Sequence, residues 1–171
     1  MRLFVALRPT PEALAHADAA LEPVRREHPD LRWVPAYRWH LTLAFYGEIP
    51  DDKVEGTVAM VDRRLRGHGP CDLAFRGAGS FTRRALWLGV DGDVGALKAL
   101  ARSVTFERRP YRPHLTVARL RGGVDAGPAV ESLTAYDGPV WTASTVHLVS
   151  SHLGPSPTYD DVATWPLPYP A

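Results

Sequence analysis

Cysteine is nearly absent from this chain: Cys71 is the only one in 171 residues. A lone cysteine closes no intramolecular disulfide and builds no thiolate metal cluster within one chain, so an intracellular, reducing compartment suffices. Long apolar runs are missing as well. The N-terminal stretch Leu3-Phe4-Val5-Ala6-Leu7 is stopped by Arg8-Pro9 before it reaches the length of a signal-peptide core, and no later stretch approaches a membrane span. The expectations are no membrane association and a cytoplasmic location. An excess of charge of one sign is also lacking, since 20 basic and 19 acidic residues leave a net +1. With no global field to hold a long polyanion by counterion release, a genome-scanning protein is excluded more readily than one that takes a small or terminal nucleic acid.

What is present is ample apolar material. With 45% apolar and 23% charged residues, the chain can bury a core of its own, and residues 1–171 fit one compact domain, or two half-domains that share a core. A monomer is expected.

Strand and helix signals alternate. Leu3 to Leu7 reads as a buried strand. Thr10-Pro11-Glu12 then supplies an N-cap, a first-turn proline and an acid ahead of a helix whose stripe is Leu14, Ala17, Leu21 and Val24, ending before Pro29. His40 to Tyr46 reads as a strand. Asp51 is placed to cap a second helix with Val54, Val58, Val61 and Leu65 on one face, closed by Gly67-His68-Gly69-Pro70. Strand signals follow near Asp72–Phe75 and Ala85–Val90, then a helical stripe of Val94, Leu97, Leu100, Ala101 and Val104. A new strand starts at His114, a short helix falls near Ala126–Leu133, and Val140–Val149 is β-rich. The ending Thr164-Trp165-Pro166-Leu167-Pro168-Tyr169-Pro170 is too proline-rich for a central strand beyond its first residues. Such alternation indicates an α/β or α+β domain.

Two segments stand apart from this background. His40-Leu41-Thr42-Leu43 and His114-Leu115-Thr116-Val117 repeat one pattern, histidine, apolar, threonine, apolar, 74 residues apart. Seven histidines and eleven threonines in this length give only about 0.1 such tetrads by chance, so the pair is a signal where one copy would be none. On a strand, residues i and i+2 share a face, so each motif projects a histidine with a threonine while the apolar residues anchor in the core. If the two strands are neighbours, two imidazoles and two hydroxyls converge. That set suits a phosphodiester: one imidazole takes a proton from water, the other gives one to the departing oxygen, and the hydroxyls donate to the non-bridging oxygens. An unperturbed pKa near ~6.5 lets two histidines hold opposite charge states around neutrality.

The paired motifs resemble those of the 2H phosphoesterase superfamily, and the flanking residues resemble its RNA 2',3'-cyclic phosphodiesterase branch, historically called 2'-5' RNA ligase. The resemblance runs through Arg2-Leu3-Phe4-Val5-Ala6-Leu7, His40 to Gly47, Arg112 to Arg119, Ser151-His152-Leu153-Gly154-Pro155, Tyr159 and Trp165-Pro166-Leu167, nearly the whole chain. It implies an α+β fold of two similar lobes with antiparallel sheets facing across a cleft, helices outside and one motif per lobe. It further implies hydrolysis of RNA 2',3'-cyclic phosphate ends to a 2'-phosphate without metal or nucleotide cofactor, His40 as acid and His114 as base. A 2'-5' ligase side activity is a reasonable consequence of the same apparatus. Beside the histidines it implies Thr42, Thr116 and Arg119 as phosphate ligands and Phe45 as a base-stacking residue. Strict strand alternation disagrees on the last two, because Phe45 and Arg119 each lie five residues after their histidine and would face away; either the strand ends or twists by then, or both are structural.

Two other readings stand beside this one: a phosphodiesterase for small cyclic nucleotides or 2'-5' oligoadenylates, and an RNA-end binding module without turnover, although both motifs are intact. Neither motif carries a carboxylate or a third histidine at metal-ligand spacing. The cluster Arg108-Arg109-Arg112 is a further candidate phosphate collector, and Trp33, Tyr37 and Trp39 are either base stackers or a hydrophobic wall.

Overall fold

The computed structural model describes residues 1–82 and 84–171. In chain order the elements are β1 (Arg2–Leu7), α1 (Pro11–Glu27), β2 (Arg32–Trp33), β3 (Leu41–Glu48), α2 (Val54–Leu65), β4 (Cys71–Phe81) and β5 (Ala85–Gly92). They continue with α3 (Val94–Val104), β6 (His114–Arg119), α4 (Gly127–Leu133), β7 (Asp137–Ala143), β8 (Thr145–His152) and β9 (Thr158–Pro166). Two antiparallel sheets result. One has the order β3-β1-β8-β9 and joins the two ends of the chain; the other has the order β2-β6-β5-β4-β7 and takes the middle. The fold is α+β with two sheets, as the resemblance implies.

Local signals account for most boundaries. Thr10 caps α1, its hydroxyl accepting from the Ala13 amide at 3.3 Å, and Pro11 occupies the first turn, where its missing N–H leaves no bond unmade. Ala13 joins Ala17, Leu21 and Val24 on the buried stripe, whereas Leu14 is only partly buried. Asp51 is not a cap: it opens a single 3₁₀ turn, Asp51–Lys53, and α2 starts at Val54 with no side-chain cap. β9 lies at a sheet edge, which tolerates Pro166 because a residue there need not donate to a second neighbour.

One hydrophobic cluster joins the two sheets. Leu3, Val5 and Leu7 of β1, Leu41 and Leu43 of β3, Leu86 and Leu88 of β5 and Leu115 and Val117 of β6 meet Leu21 of α1 and Leu97 of α3 in it. α1 and α4 pack against each other and against β7 and β4, while α2 and α3 pack together, with α3 on β3. The opposite face of β1 carries a smaller cluster of Phe4, Ala6 and Val149, with Tyr159 against it. β1 is thus buried on both faces, which is why it reads as a continuous apolar run. Among the described residues, no helix is long and apolar enough to cross a membrane.

Candidate active site

The two motifs lie on different sheets, His40 immediately before β3 and His114 at the start of β6. Their side chains nevertheless reach one space. A cavity of about 510 Å³ is lined by His40, Thr42, His114 and Thr116 together. Leu41, Leu43, Leu115 and Val117 are buried behind it, as alternation requires.

Each imidazole is held in the same way. The His40 Nδ1 lies 2.8 Å from the Arg38 carbonyl oxygen, and the His114 Nδ1 lies 2.7 Å from the Arg112 carbonyl oxygen. A carbonyl only accepts, so both Nδ1 atoms carry hydrogen, and in the neutral ring each Nε2 keeps its lone pair. Aromatic rings brace both. Phe4 and Tyr159 flank His40 with centroids at 4.8 and 5.4 Å, and Phe81 and Trp87 flank His114 at 4.9 and 6.3 Å. Room for Trp87 depends on Gly79 in the adjacent strand, where an added Cβ would come within 2.4 Å of the indole ring.

Burial pushes the His40 imidazole below its ordinary pKa; its backbone bond to Arg38 opposes this, and the charges of Arg8, Arg119 and His114 add to the lowering. Thr42 and Thr116 line the same space.

Phe45 and Arg119 do not follow strict alternation, and the reason is a matched pair of irregularities. Pairing of β3 with β1 runs Thr42 to Ala6 and then Ala44 to Val5, so Leu43 is an extra residue. Pairing of β6 with β5 runs Thr116 to Trp87 and then Ala118 to Leu86, so Val117 is the extra residue. A bulge shifts the phase of the strand beyond it by one residue. Phe45 pairs with Phe4, the ring that flanks His40, and Arg119 lines the cavity with both histidines. Strict alternation, which would turn both away, is thus broken before either residue is reached. The legible trace of each bulge is an apolar doublet, Leu43-Ala44 and Val117-Ala118, in which both members are buried.

Phe45 remains 47% exposed, with the Arg2 guanidinium 4.7 Å from its ring centre. It lines a groove that adjoins the cavity and includes Thr42, His114, Arg84, Arg109 and Arg112. Arg109 and Arg112 from the basic cluster thus border the site. Tyr111 between them reaches across: its hydroxyl donates to the Thr42 carbonyl at 2.8 Å, tying the segment before His114 to the strand after His40. Sequence reasoning passed over this residue, which carries no motif. Trp39 is buried and donates its indole N–H to the Val34 carbonyl at 2.9 Å, so it is wall, not a stacking surface. His147 and His152 lie on β8 against Asp161 and Asp160 and do not line the cavity.

The electrostatics of the cavity differ from those of the whole chain. Arg32, Arg38, Arg84 and Arg119 line it without a single carboxylate. Among the described residues none of the four forms a salt bridge, whereas Arg8, Arg25 and Arg76 each hold an acid at 2.7 to 2.9 Å. A net charge of +1 conceals a strongly cationic cleft. No group of three or more His, Cys, Asp or Glu is placed to hold a metal ion among the described residues.

Two sheets that bring a histidine and a threonine apiece to an arginine-lined cleft define a two-histidine phosphoesterase architecture. The chain belongs to the 2'-5' RNA ligase superfamily, whose family model matches residues 5–155. It is 28% identical to an RNA 2',3'-cyclic phosphodiesterase of Methanothermobacter thermautotrophicus, over 98% of this chain and 99% of that protein. It is 31% identical to a protein of the same name from Geobacillus stearothermophilus over 79% of this chain, and there the match spans about half of the relative, 47% of its length. Among solved structures, Escherichia coli LigT complexed with phosphate superposes with a TM-score of 0.75 at 25% identity, covering 97% of this chain and 96% of that one.

Proposed function

We propose that the chain hydrolyses RNA ends bearing a 2',3'-cyclic phosphate, by acid and base catalysis from His40 and His114 without a metal. The observation that carries this reading is the shared tautomer: two imidazoles with both Nδ1 atoms tied to backbone carbonyls and both rings lining one cationic cavity. The names of the relatives point to the same substrate.

Water attacks the phosphorus while one imidazole takes its proton. The bond from phosphorus to the 3' oxygen breaks, the other imidazole protonates that oxygen, and a 2'-phosphate remains. Thr42 and Thr116 donate to the non-bridging oxygens, Arg119 holds the phosphate charge, and Phe45 stacks on the terminal base. A 5'-hydroxyl in place of water forms a 2'-5' linkage by the same steps, which is the side activity in the ligase direction.

His40 acts as the acid and His114 as the base. In the free protein burial favours neutral His40, so the acid's part depends on the bound phosphate, whose negative charge offsets the guanidiniums and raises the imidazole. The test is to incubate chelator-washed protein with an oligonucleotide ending in a 2',3'-cyclic phosphate and identify the product isomer. His40→Ala and His114→Ala should each lower the rate by ~10²- to 10⁴-fold. An aryl phosphodiester, whose leaving group needs no proton, separates the roles: His40→Ala should recover most of its loss on it and His114→Ala should not. Folded variants with near-normal rates on the cyclic phosphate would overturn the reading.

A further inference from the structure

The cavity does not end at His40. A second chamber of about 300 Å³ also meets that imidazole, lined by Phe4, Arg8, Tyr37, Arg38, Pro157 and Tyr159 among others. It shares Arg38, His40, Pro157 and Tyr159 with the main cavity, so the two spaces adjoin along these residues.

The two arginines of this chamber are in opposite states. Arg8 is neutralised by Asp161, which it meets with two nitrogens at 2.7 and 3.3 Å. Arg38 stands in no salt bridge among the described residues, and its Nε is shut off from solvent with no hydrogen-bond partner. Arg38 lines both chambers, and neither lining contains a carboxylate to neutralise it, so an anion seated between them gains a charge-assisted contact with the guanidinium. Aromatic rings line the same chamber: Tyr37 is 79% exposed, and Tyr159 packs nearly perpendicular to both Phe4 and His40. A cation without an acidic partner in one chamber with an exposed aromatic ring is the chemistry that binds a nucleotide unit through its phosphate and base.

We infer that this chamber is a subsite for the penultimate nucleotide of the RNA, with Arg38 gripping the phosphodiester that joins it to the terminal nucleotide and Tyr37 and Tyr159 receiving its base. The inference rests on the proposed reaction and narrows its substrate. A 3'-terminal cyclic phosphate has one neighbouring nucleotide, on its 5' side; with the terminal base at Phe45 in the groove beside His114, the chamber lined by Arg38 and Tyr37 is left for that neighbour. The chain is then an enzyme of RNA ends of at least two nucleotides, not of mononucleotide cyclic phosphates.

The test compares a dinucleotide ending in 2',3'-cyclic phosphate with the matching mononucleotide cyclic phosphate, reading kcat/KM for each and taking their ratio. The unaltered protein should prefer the dinucleotide by about tenfold or more, and Arg38→Gln should collapse that ratio by on the order of tenfold to a hundredfold. Tyr37→Ala, at an exposed position whose loss leaves the core untouched, should reduce the ratio by a smaller factor. The ratio is the readout because any disturbance of His40 through the Arg38 backbone lowers both substrates together. Calorimetric binding of the dinucleotide and mononucleotide 3'-phosphates gives the same ratio without turnover. If neither cyclic phosphate is hydrolysed, the proposed reaction fails, while the binding ratio still decides the subsite. Equal affinity of the unaltered protein for the two 3'-phosphates, or a preference that survives Arg38→Gln, would overturn the inference.

Discussion

Removing one hydroxyl, in Tyr111→Phe, isolates the tie between the two halves of the active site. That hydroxyl donates to the Thr42 carbonyl at 2.8 Å, and burial pushes its pKa well above the usual tyrosine value, so it stays a donor throughout the working pH range. A net hydrogen bond contributes ~0.5 to 1.5 kcal/mol, and leaving a half-buried carbonyl short of its partner adds to the loss, so a total of ~1 to 2 kcal/mol is expected. For a chain of this length that lowers Tm by roughly 3 to 6 °C. The catalytic effect should be larger than the stability effect suggests. Tyr111 lies three residues before His114 and its partner two residues after His40, and a misplacement of reacting groups by ~1 Å costs on the order of 10²-fold. Tyr46→Phe is the matched control. Its hydroxyl donates to the Val104 carbonyl at 2.7 Å, the same chemistry between β3 and the end of α3. Denaturant unfolding and kcat/KM on a cyclic-phosphate oligonucleotide should show comparable destabilisation in both variants but a rate loss of about tenfold or more in Tyr111→Phe alone. Equal stability losses with full activity retained in Tyr111→Phe would refute the idea that this bond sets the spacing of the histidines.

Three further outcomes are expected. Gly79→Ala should force the Trp87 ring away from its added methyl and so disturb the brace on His114, costing ~1 to 3 kcal/mol and most of the activity; an unchanged Tm and rate would show that the ring has room to move. Because burial lowers the His40 pKa, its stabilising share is fully present above the unfolded value of ~6.5 and is lost as pH falls through the folded value, so stability of the unaltered chain should decline with acidification in that window and His40→Gln should flatten the decline. Parallel stability curves for the two proteins would count against it. Binding of a dinucleotide cyclic phosphate should show a slope of about −1.4 in log affinity against log salt, about −0.7 for each of two phosphates, and Arg38→Gln should remove one such share; a slope that keeps steepening as the oligonucleotide lengthens would instead mean that Arg109 and Arg112 track a longer strand.

The primary structure by itself determined the chemistry to look for. A repeated histidine and threonine at spacing two needs only the pleat of a strand to put both on one face, and apolar neighbours at the alternate positions ensure which face is core; that is local information, so it was legible at Leu41, Leu43, Leu115 and Val117. The same holds for the helix begun by Thr10-Pro11 and for the edge placement of the proline-bearing β9. Tertiary structure decided what depends on pairing. The bulges at Leu43 and Val117 exist only in register with β1 and β5, and they alone turn Phe45 and Arg119 toward the cleft against the alternation rule. Charge behaved likewise: a sum of +1 says nothing about four guanidiniums gathered from residues 32, 38, 84 and 119 around a space without a carboxylate. Tyr111 and Arg38 entered the candidate site unannounced, because one donates to a carbonyl 69 residues away and the other lines two chambers drawn from segments far apart in sequence, and both are relations between distant parts of a folded chain.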